Sequence, residues 1–387
     1  MARESETKPG FLLCLSYHLP NISGLTLSAH EIVKHVAALG HPAHVVAARF
    51  PRTALSCERM DGVEITRVAP WFMLGKAPFM PSYPLAVWRG MDDAAVVNVH
   101  LPCLDAATVA LIAKLRRRRL IVSYISSMST QSLADRMLRM MGAIPHLIAG
   151  MLADRIVIAS ACYGEQSVFC RLFRKKVVPA PLPVPLCLLP GEHPRLRAER
   201  VATAEDPYRI GYVGRIARQK SLHMLLEAMP RLVERLGNRF IIELLGPAAD
   251  VVGESGWREI LADAERSGGR IRYCGVKTGQ DLADYYASLD ALVLPSTNRL
   301  ESFGLVQIEA MLRGVPVVAS DLPGMRAPVA ETGMGRLFPV GNAQALADAL
   351  AETLENGPPV RLAAPEIEAR YGHDTACRPY VDELRLA

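Results

Sequence analysis

Prolines at 179, 181, 183 and 185 alternate through one short stretch, and neither a helix interior nor a central strand tolerates that pattern. The stretch divides the chain, and the same repeating unit is legible on both sides of it. Before it, short apolar runs suited to buried strands fall at Phe11–Ser16, Ala43–Ala48, Val63–Val68, Ala94–Val99, Leu120–Tyr124 and Arg155–Ala159, then at Val177 and Val178. Helical segments lie between them. One runs over about Thr26–Leu39, with apolar residues at 29, 32, 33 and 36 and Gly40 as its stop; another covers about Asp105–Leu115. After the prolines, strands are predicted at Arg209–Val213, 239–245, 270–274, Asp290–Leu294, Val315–Ala319 and Arg336–Phe338. They alternate with helices over about 220–235, 256–266, 281–287 and Ala343–Leu354. Such alternation implies parallel sheets covered by helices on both faces. The fold class is α/β, with two doubly wound, Rossmann-like domains, 1–183 and 184–365, joined by a hinge over about 179–206.

At 387 residues the chain has room for both. No apolar run approaches a membrane span, and the polar start Met1–Pro9 is unlike a signal peptide. The eight cysteines are scattered, without a CxxC pair or a histidine at zinc spacing, and read as reduced thiols of a cytoplasmic protein. Charge is uneven. Residues 1–183 hold 21 Lys and Arg against 12 Asp and Glu, and the remainder holds 23 against 27. A basic first half suits an anionic acceptor or lipid head groups as well as it suits plain solvation. Nucleic acid is a poor fit, because aromatic residues are few and do not interleave with the basic ones. Two basic runs, Arg116–Arg119 and Arg174–Lys176, read as solvated helix ends. The Met-, Leu- and Ile-rich segment from Gln131 to Leu152 has a broad apolar face interrupted by Pro145. It suits a core helix pair, an acceptor groove or a peripheral membrane contact.

Chemistry concentrates in the second half. The strand Asp290–Leu294 runs into a loop that ends in Glu301-Ser302-Phe303-Gly304, after which Leu305, Ile308, Met311 and Leu312 keep helical period through Glu309. One carboxylate thus sits beyond a strand's carboxyl end and the other about a turn into the next helix, where open α/β sheets bind ligands. A helix start suits a phosphate, and a carboxylate one turn on suits a sugar's adjacent hydroxyls. Following the domain's first strand, Gly211-Tyr212-Val213-Gly214-Arg215-Ile216-Ala217-Arg218-Gln219-Lys220 lacks both the GxGxxG and the Walker pattern. It places Arg215 and Lys220 across one strand-to-helix loop, where two cations can hold a diphosphate as a leaving group.

In order, VGRIARQK and LPSTNRLESFGLVQIEAMLRGVPVVASDLPG resemble the donor domain of GT-B retaining glycosyltransferases, in particular family 4. SYHLPNISGLTLSAHEIVKHVAALGH is similar to that family's first domain, so the likeness covers nearly the whole chain. The resemblance implies two domains facing a cleft, with residues 366–387 crossing back onto the first. It implies a nucleoside diphosphate sugar, GDP- or UDP-linked, as donor, and a polysaccharide, lipid-linked or small-molecule acceptor. Arg215 and Lys220 would hold the diphosphate, Glu301 the donor sugar and Glu309 the ribose hydroxyls. Gly214, Ser302 and the backbone of Phe303, Gly304 and Leu305 would complete the donor site, with Gly24 approaching phosphate from a loop of the other domain. Neither cofactor nor metal is implied. In relatives a histidine follows the strand that here reads Leu120–Tyr124, but this chain continues with Ile125. A donor lacking polarity at its sixth carbon, an easier nucleophile such as a thiol, and a weakly active homologue all fit that change. His18 and His100, in first-domain loops, are the candidates to contact acceptor or sugar instead. A nucleotide-sugar epimerase and a silent nucleotide-sugar-binding protein are the alternatives to a transferase.

Overall fold

The computed structural model describes residues 8–75, 77–126, 133–185, 201–248 and 256–387. The chain forms two compact units, one of Met1–Pro183 with His373–Ala387 and the other of Val184–Gly372. Part of the expected hinge, residues 186–200, lies outside the described residues.

The first unit opens with β1 (Gly10–Cys14), α1 (Gly24–Ala38), β2 (Ala43–Ala48), β3 (Cys57–Met60) and β4 (Val63–Val68). A hairpin of β5 (Phe72–Leu74) and β6 (Ala77–Phe79) follows, then α2 (Tyr83–Gly90), β7 (Ala94–Leu101), α3 (Ala106–Leu115) and β8 (Arg119–Tyr124). The unit continues through α4 (Leu133–Leu152), β9 (Arg155–Ile158), α5 (Ala161–Gln166), α6 (Val168–Leu172) and β10 (Val177–Pro179). The sheet order is β10-β9-β8-β7-β1-β2-β4-β3, parallel except for β3, which pairs antiparallel with β4 at the edge. Chain direction across the sheet reverses between β7 and β1. A crevice therefore opens there, beyond the strands' carboxyl ends.

Helix α1 starts where Ser23 caps it. The Ser23 hydroxyl accepts from the Thr26 amide at 3.2 Å, while Thr26 Oγ1 accepts from the Ser23 amide at 2.9 Å. Gly24 is consequently the first residue of a helix and not a loop residue. The helix buries Ala29, Ile32, Val33 and Val36 against Phe11, Leu13 and Val45 of the sheet, as the 3.6-residue period requires. The sheet's other face packs on α2, α3 and the inner side of α4.

The second unit runs β11 (Tyr208–Val213), α7 (His223–Leu236), β12 (Phe240–Leu245), α8 (Trp257–Arg266), β13 (Ile271–Tyr273), α9 (Gly279–Ser288) and β14 (Ala291–Leu294). Then come α10 (Leu305–Met311), β15 (Val317–Ser320), α11 (Pro323–Thr332), β16 (Gly335–Phe338), α12 (Ala343–Asn356) and α13 (Ala364–Tyr371). All six strands are parallel, in the order β13-β12-β11-β14-β15-β16, so the direction reverses between β11 and β14.

The last helix, α14 (His373–Arg385), belongs to the first unit. The change of unit falls at Gly372, later than the expected residue 366, because α13 packs on α10: Phe303 meets Tyr371 at 6.1 Å between ring centroids. Helix α14 is held by the buried Glu383 carboxylate, which accepts from Arg119 at 2.5 Å and Arg155 at 3.0 Å, and by Tyr380 bonded to Ser123 at 2.9 Å. The run Arg116–Arg119 is thus not merely solvated. Arg116 donates to Asp92 at 2.7 Å and lies over the Trp88 ring, and Arg118 donates to the Met91 carbonyl at 3.2 Å. No helix among the described residues is long and apolar enough to cross a membrane.

Candidate functional site

In the second unit, the loops after β11 and β14 emerge side by side at the strand-order reversal. Ser221 ties them together: its hydroxyl lies 2.8 Å from that of Thr297 and accepts from the Thr297 amide at 3.1 Å. Ser221 adopts the left-handed conformation at φ 55°, ending the short 3₁₀ turn Arg218–Lys220 and presenting Lys220 to the second loop. There the Lys220 ammonium is in contact with the Glu301 carboxylate, both groups about four-fifths buried. Two residues separated by 81 positions in sequence meet as an ion pair in the crevice where a donor is expected.

The Glu301 loop is set by two glycines. Gly304 takes φ +75° just ahead of α10, a conformation that L side chains avoid. A Cβ at Gly324, early in α11, would fall 1.8 Å from the Glu301 carbonyl oxygen, so only glycine lets that helix lie under Glu301 and Ser302. Phe303 is buried, and Gln307 donates to the Phe303 carbonyl at 2.8 Å and to the Met325 carbonyl at 3.1 Å. Ser302 and Gly304 remain partly accessible, and Leu305 begins the helix. Across the crevice, the Gly214 amide donates to the Leu245 carbonyl at 2.9 Å. The Tyr212 hydroxyl donates to the Arg215 carbonyl at 2.9 Å, fixing the turn that carries the guanidinium.

Glu309 lies within α10 as its period predicts, yet it is 6% exposed. Burial pushes its carboxyl up to about 7, against the opposing effect of the Tyr286 hydroxyl, which donates to it at 2.5 Å. Tyr286, on α9, is a residue of this candidate site that sequence reasoning missed. Its only signal is a tyrosine on the buried face of a helix preceding the motif strand, which core packing explains equally well. Gln307, on the buried face of α10, escaped notice for the same reason, and Ser221 and Thr297 because short polar residues in loops carry no periodicity.

His18, His100, Ile125 and Gly24 belong to the first unit. His100 lies in β7 and His18 in the loop after β1, the two strands that flank the reversal in that sheet. Both are 1% exposed, and neither imidazole has a hydrogen-bond partner among the described residues. Burial holds both near 3, so they are neutral; His18 is lowered further by His30, Arg67 and His100. The neighbouring His30 ring lies 5.2 Å from that of His18 and bonds Asp61 at 2.9 Å. Arg67 anchors the His18 loop, donating to the Leu19 carbonyl at 2.6 Å. Ile125 follows β8 directly and is buried at 5% exposure. Among the described residues no group of three or more His, Cys, Asp or Glu side chains is arranged to hold a metal ion.

Two doubly wound units, each with residues gathered at its strand-order reversal, define a GT-B type of architecture. Residues 196–369 match the model of the family "Glycosyl transferases group 1", and residues 22–168 match that of "Glycosyltransferase Family 4". The chain belongs to the GT-B, family 4 glycosyltransferases. It is 35% identical over 181 residues to a D-inositol 3-phosphate glycosyltransferase of Corynebacterium urealyticum, covering 46% of this chain and 42% of that protein. It is 34% identical over 142 residues to a phosphatidyl-myo-inositol mannosyltransferase of Mycobacterium tuberculosis, covering 36% of this chain and 35% of the other. Each alignment thus spans less than half of the relative's length. In fold, the chain is similar to Anabaena HepE in complex with UDP-glucose, with TM-score 0.71, 19% identity, and coverage of 97% of this chain and 100% of that one. The sucrose-phosphate synthase of Thermosynechococcus elongatus gives TM-score 0.70 and 19% identity, over 97% of this chain and 98% of the other.

Proposed function

We propose that this chain transfers a glycosyl group from a UDP- or GDP-linked sugar to a hydroxyl-bearing acceptor, with retention of anomeric configuration. The observation that carries this reading is the Lys220–Glu301 pair in the crevice between β11 and β14, with Glu309 one turn away on α10. Lys220 and Arg215 neutralise the diphosphate as it departs, which lowers the barrier only if charge grows on it in the transition state. Glu301 contacts the sugar, and Glu309 accepts from the ribose hydroxyls. The leaving diphosphate takes the acceptor's proton on the same face, so no protein base is required. The reaction draws its charge stabilisation from the two cations, without a metal or organic cofactor. His18 and His100, neutral and without hydrogen-bond partners among the described residues, suit acceptor hydroxyls as hydrogen-bond acceptors. Relatives named for inositol 3-phosphate and phosphatidylinositol make an inositol-bearing acceptor the first to try.

The test is a thermal-shift and calorimetric screen of UDP-, GDP- and ADP-sugars, followed by NMR of the product formed with myo-inositol 3-phosphate or phosphatidylinositol. An α-linked donor giving an α-linked product is expected; inversion, or no binding of any nucleotide sugar, removes the proposal. Epimerisation of the donor when it is supplied alone would replace it with the other activity.

Ile125 bears on the sugar's identity. If it faces the donor's sixth carbon, Ile125→His should raise kcat/KM for a donor carrying a hydroxyl there, relative to its 6-deoxy analogue, by about tenfold, the value of one hydrogen bond to a polar group. An unchanged ratio would show that this position does not read the sugar.

A further inference from the structure

Gln307 is the third residue of α10 and is wholly buried, at 0% exposure. Leu305, Ile308, Ala310 and Met311 of the same helix are buried around it. Glutamine is an unusual occupant of such a place, because its amide must find partners once water is gone. Here the match is one-sided. Nε2 gives both its hydrogens to the backbone, one to the Phe303 carbonyl at 2.8 Å and one to the Met325 carbonyl on α11 at 3.1 Å. Oε1 is buried with no hydrogen-bond partner among the described residues. A leucine would fill the space without an orphaned oxygen, so packing does not account for the amide. What the amide alone supplies is a link between two carbonyls, one in the loop that carries Glu301 and one in the helix beneath it. The flanking glycines are fitted to that link. A Cβ at Gly304 would fall 2.8 Å from Gln307 Nε2, as one at Gly324 would fall against the Glu301 carbonyl.

We infer that Gln307 is a positioning residue for glycosyl transfer: by tying the Phe303 carbonyl to α11 it fixes the turn that sets Glu301 and Ser302 at the donor sugar. The inference rests on the transferase reading and deepens it with a side chain too deeply buried to touch the donor itself. Glu301 stands two residues before Phe303, so a rotation of the intervening peptides moves its carboxylate directly. Gly304, at φ +75°, lends the turn freedom and no rigidity. The Glu301 carboxylate is also held by the Lys220 ammonium, but a bound diphosphate would share that cation. The link through Gln307 lies in the interior, where a donor leaves it intact. Once Lys220 turns to the diphosphate, the place of Glu301 therefore depends on the backbone that Gln307 holds. A misplacement of about 1 Å is enough to cost about a hundredfold in rate. The effect falls on turnover, while Arg215 and Lys220 keep their hold on the diphosphate.

The test compares Gln307→Leu and Gln307→Glu with the parent, each as the full chain, by hydrogen–deuterium exchange, calorimetry and initial rates. In Gln307→Leu the amides of residues 301–305 should exchange at least about tenfold faster, the value of one lost hydrogen bond, with those of β14 unchanged. Affinity for UDP and GDP should stay within about threefold of the parent, as for sites that share no partner. The kcat with a nucleotide sugar should fall about tenfold to a hundredfold. Gln307→Glu separates hydrogen bonding from packing. Its buried carboxyl can donate only while protonated, so turnover relative to the parent should recover towards acid and fall away as pH rises. Unchanged exchange at 301–305 overturns the inference without reference to any donor. Faster exchange throughout the second unit, or nucleotide affinity lost in step with turnover, assigns Gln307 to general stability and overturns it as well. A parent that turns over no nucleotide sugar ends the transferase reading and the inference together. Faster loop exchange with parent-like kcat ends the inference alone.

Discussion

Lys220→Ala is expected to weaken binding of UDP or GDP by about tenfold to a hundredfold, the range for losing a hydrogen bond to a charged group. Glu301→Ala should behave differently, and the difference is the sharper test. In the structure the Lys220 ammonium holds the Glu301 carboxylate, with both groups largely out of solvent. An incoming diphosphate must compete for that ammonium. Removing Glu301 frees Lys220, so affinity for the bare nucleoside diphosphate should be unchanged or a few-fold higher. Transfer should fall by about two to three orders of magnitude if, as proposed, that carboxylate orients the sugar. Calorimetry with UDP and GDP, set beside initial rates with the nucleotide sugar, separates the two effects. Parent-like nucleotide affinity in Lys220→Ala would end the assignment of this crevice to the diphosphate. A parallel loss of nucleotide affinity in both variants would show instead that the pair is needed only to hold the loops together.

The organisation of both units was legible because strands buried on both faces leave continuous apolar runs, and the helices between them keep their period. Ala43–Ala48 and Val63–Val68 fall where expected to the residue. What escaped the sequence had no period to betray it. Strand β3, Cys57–Met60, is an edge strand with exposed alternate residues, and the β5–β6 hairpin spends its apolar side chains on solvent instead of a core. Helices α2 and α11 begin at or near prolines, which at the first turn do not interrupt a helix but in sequence look like loop residues. The same limit applies at the site. Lys220, Glu301 and Glu309 could be singled out as candidates because charged residues in or just after strand-to-helix loops stand out. Tyr286 and Ser221, which set the environment of Glu309 and the direction of Lys220, act through contacts across 23 and 76 residues of chain. Only the folded sheet brings those partners together. The basic run at Arg116–Arg119 shows the reverse error. Its last member neutralises a buried carboxylate on α14, a partner 264 residues away.

Glu309 gives the prediction with a definite pH signature. Its carboxyl is pushed up to about 7 by burial, above the ordinary value near 4.5 that it regains on unfolding. Because the folded state binds the proton more tightly, this group costs nothing below about pH 4.5 and costs more as pH rises towards 7. Above that the cost is constant at about 3.5 kcal/mol, taking ~1.4 kcal/mol for each unit. Glu309→Gln, which can still accept from the Tyr286 hydroxyl, should therefore raise the melting temperature at pH 8 and leave it nearly unchanged at pH 4.5. Ligand binding should act in the opposite direction. Two ribose hydroxyls donating to the carboxylate favour its ionised form, so a bound nucleotide sugar should expel a proton near neutrality. Affinity should then rise with pH through about 7 and level off beyond it. Diesterified diphosphates do not titrate in that range, so a nucleotide sugar, unlike a free nucleoside diphosphate, reports Glu309 without interference from its own phosphates. Calorimetric titrations in two buffers of different ionisation enthalpy, at pH 6.5, measure the released proton directly. In Glu309→Gln the proton release should vanish, affinity should drop at least about tenfold and its pH dependence should flatten. A parent protein that releases no proton, together with a variant that binds as tightly as the parent, would place the ribose somewhere other than on α10.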